Sequence, residues 1–205
     1  MPELTRFLFA TGNDHKVEEA KAALSRFKID ITRFTEAKKI EIQSIDLEEI
    51  ANSALAIVLH KTKESVFVED SGLFIHALNG LPGPYSSYVF DTLGLDGVIK
   101  LMEGSKSRKA EFKSSVAFGM KGQWLATFSS VTEGTIISER RGESGFGFDP
   151  IFVPMWNSKT FAEMKLDEKT IYSHRAKALQ KLALWFLNRK EVENPQEKTA
   201  SKKVK

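Results

Sequence analysis

The chain has 205 residues, 41% hydrophobic and 10% aromatic with 15 Phe, which excludes wholesale disorder and is enough for one ordinary domain or two lobes sharing a core. It has no cysteine, which excludes disulfides, thiolate nucleophiles and thiolate metal sites together, and its four histidines (His15, His60, His76, His174) are too scattered for zinc-ligand spacing. The formal net charge of +3 lies mostly in residues 190–205, with five Lys against three acids; residues 1–189 hold 25 basic and 24 acidic groups, so charge alone implies no nucleic-acid surface.

Phe7–Thr11 is short and apolar and predicts a buried strand. Val17, Ala20, Ala23, Leu24 and Phe27 then recur at helical spacing, so a helix follows from Asn13. Short strands are predicted at Ile29–Phe34 and Ile40–Ile42. Asp46 opens the next helix, with Glu49 placed for a capping box and Ile50, Ala54, Ile57 and Val58 on its buried face. Val66–Val68 reads as a strand that turns polar at Glu69-Asp70-Ser71-Gly72. Leu81-Pro82-Gly83-Pro84 is a turn cluster, followed by helical pieces at Ser86–Leu93 and Leu95–Glu103. Ala110–Met120 and Gln123–Val131 alternate and form a hairpin through Met120-Lys121-Gly122-Gln123. A short strand surrounds Gly134–Ser138, Gly142–Pro150 is a glycine-rich loop, Ile151–Val153 is a strand, and a last helix runs from Ser173 to about Asn188. The pattern predicts an α/β fold with a mixed sheet flanked by helices, a single domain over 1–189 and a basic, disordered tail over 190–205. The longest unbroken apolar run, Ala54–Leu59, is far short of a membrane span, and the apolar run near the N-terminus is too short for a signal-peptide core, so a soluble cytoplasmic protein is expected.

Four clusters depart from plain scaffolding. In Thr11-Gly12-Asn13-Asp14-His15-Lys16 a strand ends, Gly12 permits a sharp turn and Asn13 can cap the helix, whose free N–H groups form an anion site. Lys16 in that first turn opposes the helix dipole unless an anion is bound. The segment is not a Walker A loop, and alone it also fits an ordinary strand-to-helix turn. In Glu69-Asp70 successive side chains face opposite ways, so one acid can enter a cleft while its neighbour is tied elsewhere. Acids at strand ends can hold Mg²⁺, with Glu41 a candidate second ligand; a polar turn after a core strand is the alternative. Gly145-Phe146-Gly147-Phe148-Asp149 offers two rings to a flat ligand, or is a glycine bulge with core phenylalanines. Base stacking of this kind is worth roughly 1–3 kcal/mol. Lys169 and Ser173-His174-Arg175 place basic groups at the last helix start, suited to a carbonyl or phosphate edge or to a solvated basic turn. Together the clusters supply what a nucleoside triphosphate needs.

At these residues the sequence resembles the inosine triphosphate pyrophosphatase family. Six ordered motifs over roughly residues 5–188 carry the resemblance: Thr11-Gly12-Asn13-x-x-Lys16, Glu69-Asp70-Ser71-Gly72-Leu73, Gly80-Leu81-Pro82-Gly83-Pro84-Tyr85-Ser86, Phe146-Gly147-Phe148-Asp149-Pro150, Lys159-Thr160-Phe161-Ala162-Glu163-Met164 and Ser173-His174-Arg175. The resemblance implies a two-lobed α/β fold around a long mixed sheet, with the active site in the central cleft, and a homodimer. It implies Mg²⁺-dependent hydrolysis of ITP, dITP and XTP to the monophosphate and pyrophosphate, cleansing the nucleotide pool. By position, Thr11, Gly12, Asn13, Asp14, His15 and Lys16 would hold the triphosphate. Glu41 and Asp70 would hold the metal, with Asp70 the base for the attacking water. Ser71 would touch the substrate, and Phe146, Gly147, Phe148, Asp149, Lys169, His174 and Arg175 would hold the base and its sugar side. Where many members carry Tyr or Trp this chain has Phe148, and it lacks their lysine in the helix after Glu41, so triphosphate charge would fall more heavily on Lys16 and Lys169.

Overall fold

The computed structural model describes residues 5–36, 40–120 and 124–193. One seven-stranded mixed sheet organises them. Strand β1 (Thr5–Ala10) is central and covered on both faces: Phe7 and Phe9 enter one apolar core, Leu8 and Ala10 another. It pairs in parallel with β2 (Ile29–Phe34) and, at Leu8 and Phe9, with β3 (Val66–Ile75). Between them run helices α1 (Asp14–Leu24) and α2 (Leu47–Val58), as right-handed crossovers of parallel strands require. Beyond β3 the sheet turns antiparallel, through β5 (Lys109–Met120), β6 (Trp124–Ile136) and β7 (Phe152–Pro154); the two-residue β4 (Pro82–Gly83) pairs with the far end of β3. Helix α3 (Ser86–Leu101) breaks at Gly94, matching the two pieces expected there. Helix α4 (Leu166–Tyr172) carries Lys169, and α5 (His174–Glu193) packs across α1, β5 and β6.

The sheet is one, but its apolar packing is divided. Phe67 joins α1 and α5 on one face, Val66 and Val68 join α2 on the other, and Leu73 and Ile75 belong to a separate core with Val98 and Met102 near α3. Between these cores β3 is polar for four residues. The partner strands are polar at the same level: Asp70 lies opposite Ser115 and Ser71 opposite Ser114 on β5, and these lie opposite Ser129 and Ser130 on β6. This belt of carboxylate and hydroxyl groups separates two lobes on one sheet. Hydrophobic side chains cannot bridge it, so the cleft opens there.

Several expectations change. Glu69–Gly72 is not a turn: β3 continues through it to Ile75, because β5 supplies an unbroken ladder from Val66 to Ile75. Ile40–Ile42 is not a strand: it is coil, and Ile40 and Ile42 are exposed. Asp46 caps α2 by accepting from the Glu48 N–H, but Glu49 accepts from the Ser44 hydroxyl instead of closing a box. The strand expected around Gly134–Ser138 is the end of β6. The last helix runs to Glu193, past the expected end at Asn188. The hairpin residues 121–123 and the rest of the expected tail, 194–205, lie outside the described residues.

Candidate functional site

Strand β1 stops at Ala10 while β3 runs on, so β3 residues 69–72 project past the C-terminal end of a parallel strand, where ligands of α/β sheets bind. A cleft of about 880 Å³ opens at this point. It is lined by Thr11, Gly12, Asn13, His15, Lys16, Glu41, Asp70, Ser71, Phe146, Gly147, Phe148, Asp149, Lys169, His174 and Arg175, drawn from both lobes. Of the residues expected to hold substrate or metal only Asp14 is not in its wall.

Its first side is the turn into α1. The Asn13 side chain accepts from the Lys16 N–H at 3.2 Å, and the Asn13 N–H donates to the Thr11 hydroxyl at 3.2 Å. The cap, worth about 1 kcal/mol, fixes the turn. A Cβ on Gly12 would meet nothing within 4 Å, so an anion has room to approach that backbone. The His15 ring lies parallel to Phe146 at 5.3 Å, joining this turn to the glycine-rich loop.

The floor is a buried ion network. Glu69, on one face of β3, meets Lys16 at 2.8 Å, Arg175 at 3.1 Å and the Ser114 hydroxyl at 2.8 Å. Arg175 also pairs with Glu19 and donates to the Ser71 hydroxyl at 2.8 Å. Lys169 is held between Glu19 and Asp149, 2.6 Å from each. Burial alone would raise the Glu69 pKa, but Arg175 and Lys16 outweigh it and hold the carboxyl well below its usual range. In the same way burial opposes, and Arg175 and Lys169 overcome, a shift that takes Glu19 down to about 2. Asp149 is raised, by burial first and by the Glu19 charge second. Arg175, whose burial favours loss of its proton, is held charged by Glu69 and Glu19.

Asp70, on the opposite face from Glu69, is 7% exposed and lines the cleft. The two adjacent acids are thus divided: Glu69 belongs to the ion network, and Asp70 faces the space a ligand would fill. Glu41 reaches the same cleft from an exposed coil segment. Phe148 is a core residue, edge-on to Phe90, and shows the cleft only its margin, while Phe146 is half-buried with Lys169 and Arg175 at 5.3 and 5.5 Å from its ring centre. Lys169 is fully engaged by two carboxylates, so the expected shift of triphosphate charge onto it finds a lysine already neutralised.

The remaining motifs are props. Ser86 donates to the Gly83 carbonyl and accepts from the Leu73 N–H, locking β4 against β3 at Gly72, where a Cβ would stand 2.1 Å from that same carbonyl. Gly145 has φ +76, and a Cβ there would stand 2.1 Å from the Asp149 carboxylate that accepts from the Phe146 N–H. Thr160 and Glu163 form a reciprocal capping box that presents Phe161 beneath Lys169.

His174 is buried, stacks on Phe112 at 4.7 Å, and its Nδ1 has no hydrogen-bond partner among the described residues. Burial first and the Arg175 charge second push its pKa well below 6.5, so the folded ring is neutral. An unfolded chain gains a proton there below about pH 6.5 before the folded one does, so stability should fall as pH drops below that value. Glu19 acts in the same direction lower down, between 4.5 and about 2, Glu69 likewise as pH falls below 4.5, and Asp149 acts against them. Melting temperatures across this range should show the upper limb flatten in His174→Gln. An equal slope in that variant would assign the effect elsewhere.

Two participants escaped the sequence reading. Glu19 follows Glu18 on a charged helix and carries no local mark of burial; only α5 and α4 closing over α1 make it the common partner of Lys169 and Arg175. Arg33 looks like a surface residue of a short strand, yet it lines the cleft.

The Ham1 family model matches residues 7–185. A dITP/XTP pyrophosphatase of Methanopyrus kandleri is 49% identical over 183 residues, covering 89% of this chain and 97% of that protein. Another, of Pyrococcus horikoshii, is 45% identical and covers 88% and 96%. Among solved structures, a HAM1 protein from Coxiella burnetii superposes with a TM-score of 0.77 at 29% identity, over 90% of this chain and 99% of that one. With the family model spanning both lobes and every strand of the sheet represented in it, the chain belongs to the Ham1 family.

Proposed function

We propose that this protein is a Mg²⁺-dependent nucleoside-triphosphate pyrophosphatase that converts ITP, dITP and XTP to the monophosphate and pyrophosphate, clearing non-standard purines from the nucleotide pool. The observation that carries the reading is the convergence, in one cleft, of an anion-binding turn, the Asp70 and Glu41 carboxylates, and an aromatic shelf. The relatives' names, dITP/XTP pyrophosphatase, point to the same enzyme class. No helix among the described residues is long and apolar enough to cross a membrane. The homodimer and the cytoplasmic location implied by the resemblance belong to the same proposal.

The charge balance of the floor supports a metal. Lys16, Lys169 and Arg175 face Glu19, Glu69 and Asp149, so the cations are already matched by carboxylates. A polyphosphate entering such a wall needs a cation of its own. Glu41 and Asp70 fit Mg²⁺, which takes one or two carboxylates with waters and substrate oxygens; among the described residues no group of three or more acids or histidines forms a larger cage. When bound, Mg²⁺ supplies neutralisation of phosphate charge. Asp70 accepts the proton of the water that attacks the α-phosphorus, and the bond from that phosphorus to the α,β-bridging oxygen breaks. The N–H groups of the α1 turn, with Lys16 beside them, face the departing pyrophosphate. Phe146 and His174 line the base side. Hypoxanthine and xanthine carry a 6-oxo acceptor where adenine carries a donor, and a site built for one rejects the other.

A nucleotide panel with and without Mg²⁺, with products identified, tests this. dITP, ITP and XTP should be cleaved at least roughly a hundredfold more efficiently than ATP, releasing pyrophosphate only with the metal. Release of orthophosphate, or preference for modified pyrimidines, would overturn it.

A further inference from the structure

We propose that Arg33 is a positioning residue for the polyphosphate: its guanidinium fixes the peptide planes of the Thr11–Asn13 turn so that the Gly12 N–H faces the bound anion. All three guanidinium nitrogens are committed to this turn. Nε donates to the Thr11 carbonyl at 3.1 Å, Nη2 donates to the Gly12 carbonyl at 3.0 Å, and Nη1 pairs with Asp14, the first residue of α1. In a trans peptide the N–H points opposite to the carbonyl. Drawing the Thr11 and Gly12 carbonyls toward Arg33 therefore turns the Gly12 and Asn13 N–H groups away from it, the second of them onto the Thr11 hydroxyl.

The Thr11 hydroxyl helps to fix the second of these planes, but not the first. The Asn13 cap secures the Lys16 N–H, and Gly12, with no Cβ, leaves the peptide plane before it able to rotate. The register places Arg33 beside Phe9 on β2, one residue before that strand ends, so a rigid ladder carries the guanidinium. Its ion pair with the exposed Asp14 adds little by itself. The planar fork matters, because one ammonium cannot donate in plane to two successive carbonyls. Asp14, outside the cleft wall, acquires a role here as the anchor of Arg33.

The inference rests on the triphosphate reading above, and the test separates the two. Inhibition constants for tripolyphosphate, which has no base, and for inosine, which has no phosphate, are measured against dITP hydrolysis in the parent, Arg33→Ala and Arg33→Lys. Both variants should raise the dITP KM and the tripolyphosphate constant together, by roughly tenfold for two lost charge-assisted hydrogen bonds, and leave the inosine constant unchanged. If Arg33→Ala does not fold, Arg33→Gln replaces it, with the same split between the two probes. Equal weakening of both probes, or of neither, overturns the positioning role, as does full recovery in Arg33→Lys. A parent that cleaves no purine triphosphate would instead overturn the function itself.

Discussion

Asp70→Asn should lower dITP turnover by roughly 10²–10⁴-fold, the range of general-base catalysis, with nucleotide still bound. The substitution keeps the shape of the side chain and removes its ability to take a proton. It should be tolerated structurally, because Asp70 is an interior position of β3 held by the ladder to β5 and is not among the carboxylates that neutralise Lys169 and Arg175. Single-turnover hydrolysis together with calorimetric titration of dITP separates the two quantities. A variant that turns over dITP at the parental rate would remove Asp70 from the mechanism. A variant that no longer binds would show that the carboxylate serves mainly in holding the nucleotide with its metal.

Glu19→Ala should cost more stability than any exposed substitution, on the order of 3–5 kcal/mol. Glu19 is 6% exposed and bonds both Lys169 and Arg175, the two cations that bring α4 and α5 onto α1. Its removal leaves the buried Lys169 and Arg175 and the partly buried Lys16 against Glu69 and Asp149. For a domain of this size the loss corresponds to a fall in melting temperature of roughly 10 °C. Because the same two cations lie against Phe146, the dITP KM should rise as well. A melting temperature within about 2 °C of the parent would mean that the remaining carboxylates suffice.

Much of this was legible because it depends on neighbours in the chain. Asn13 caps α1 and Ser173 caps α5, since a cap needs only its own next turn. The break of α3 at Gly94 and the early strands were equally readable. Neighbours in the chain do not show what a distant segment decides. Glu69-Asp70-Ser71-Gly72 has turn composition, but Ser114 and Ser115 give it strand partners. Lys169 reads as a ligand cation until Glu19, 150 positions away, is brought within 2.6 Å of it. Phe148 reads as a shelf until Phe90 packs against it and makes it core.

Local order and hydrogen-bonding inventory determined, from the residues alone, which groups this protein brings to chemistry: an anion-binding helix start, an acid pair and an aromatic loop. Tertiary structure decided how the charges are shared. It assigned Glu69 to the ion network and Asp70 to the cleft, enclosed Lys169, and recruited Glu19 and Arg33. The reason is that Coulombic pairing and desolvation act through space and are strongest in a dry interior, so the role of a charged side chain is set by whatever the fold places within a few ångströms of it.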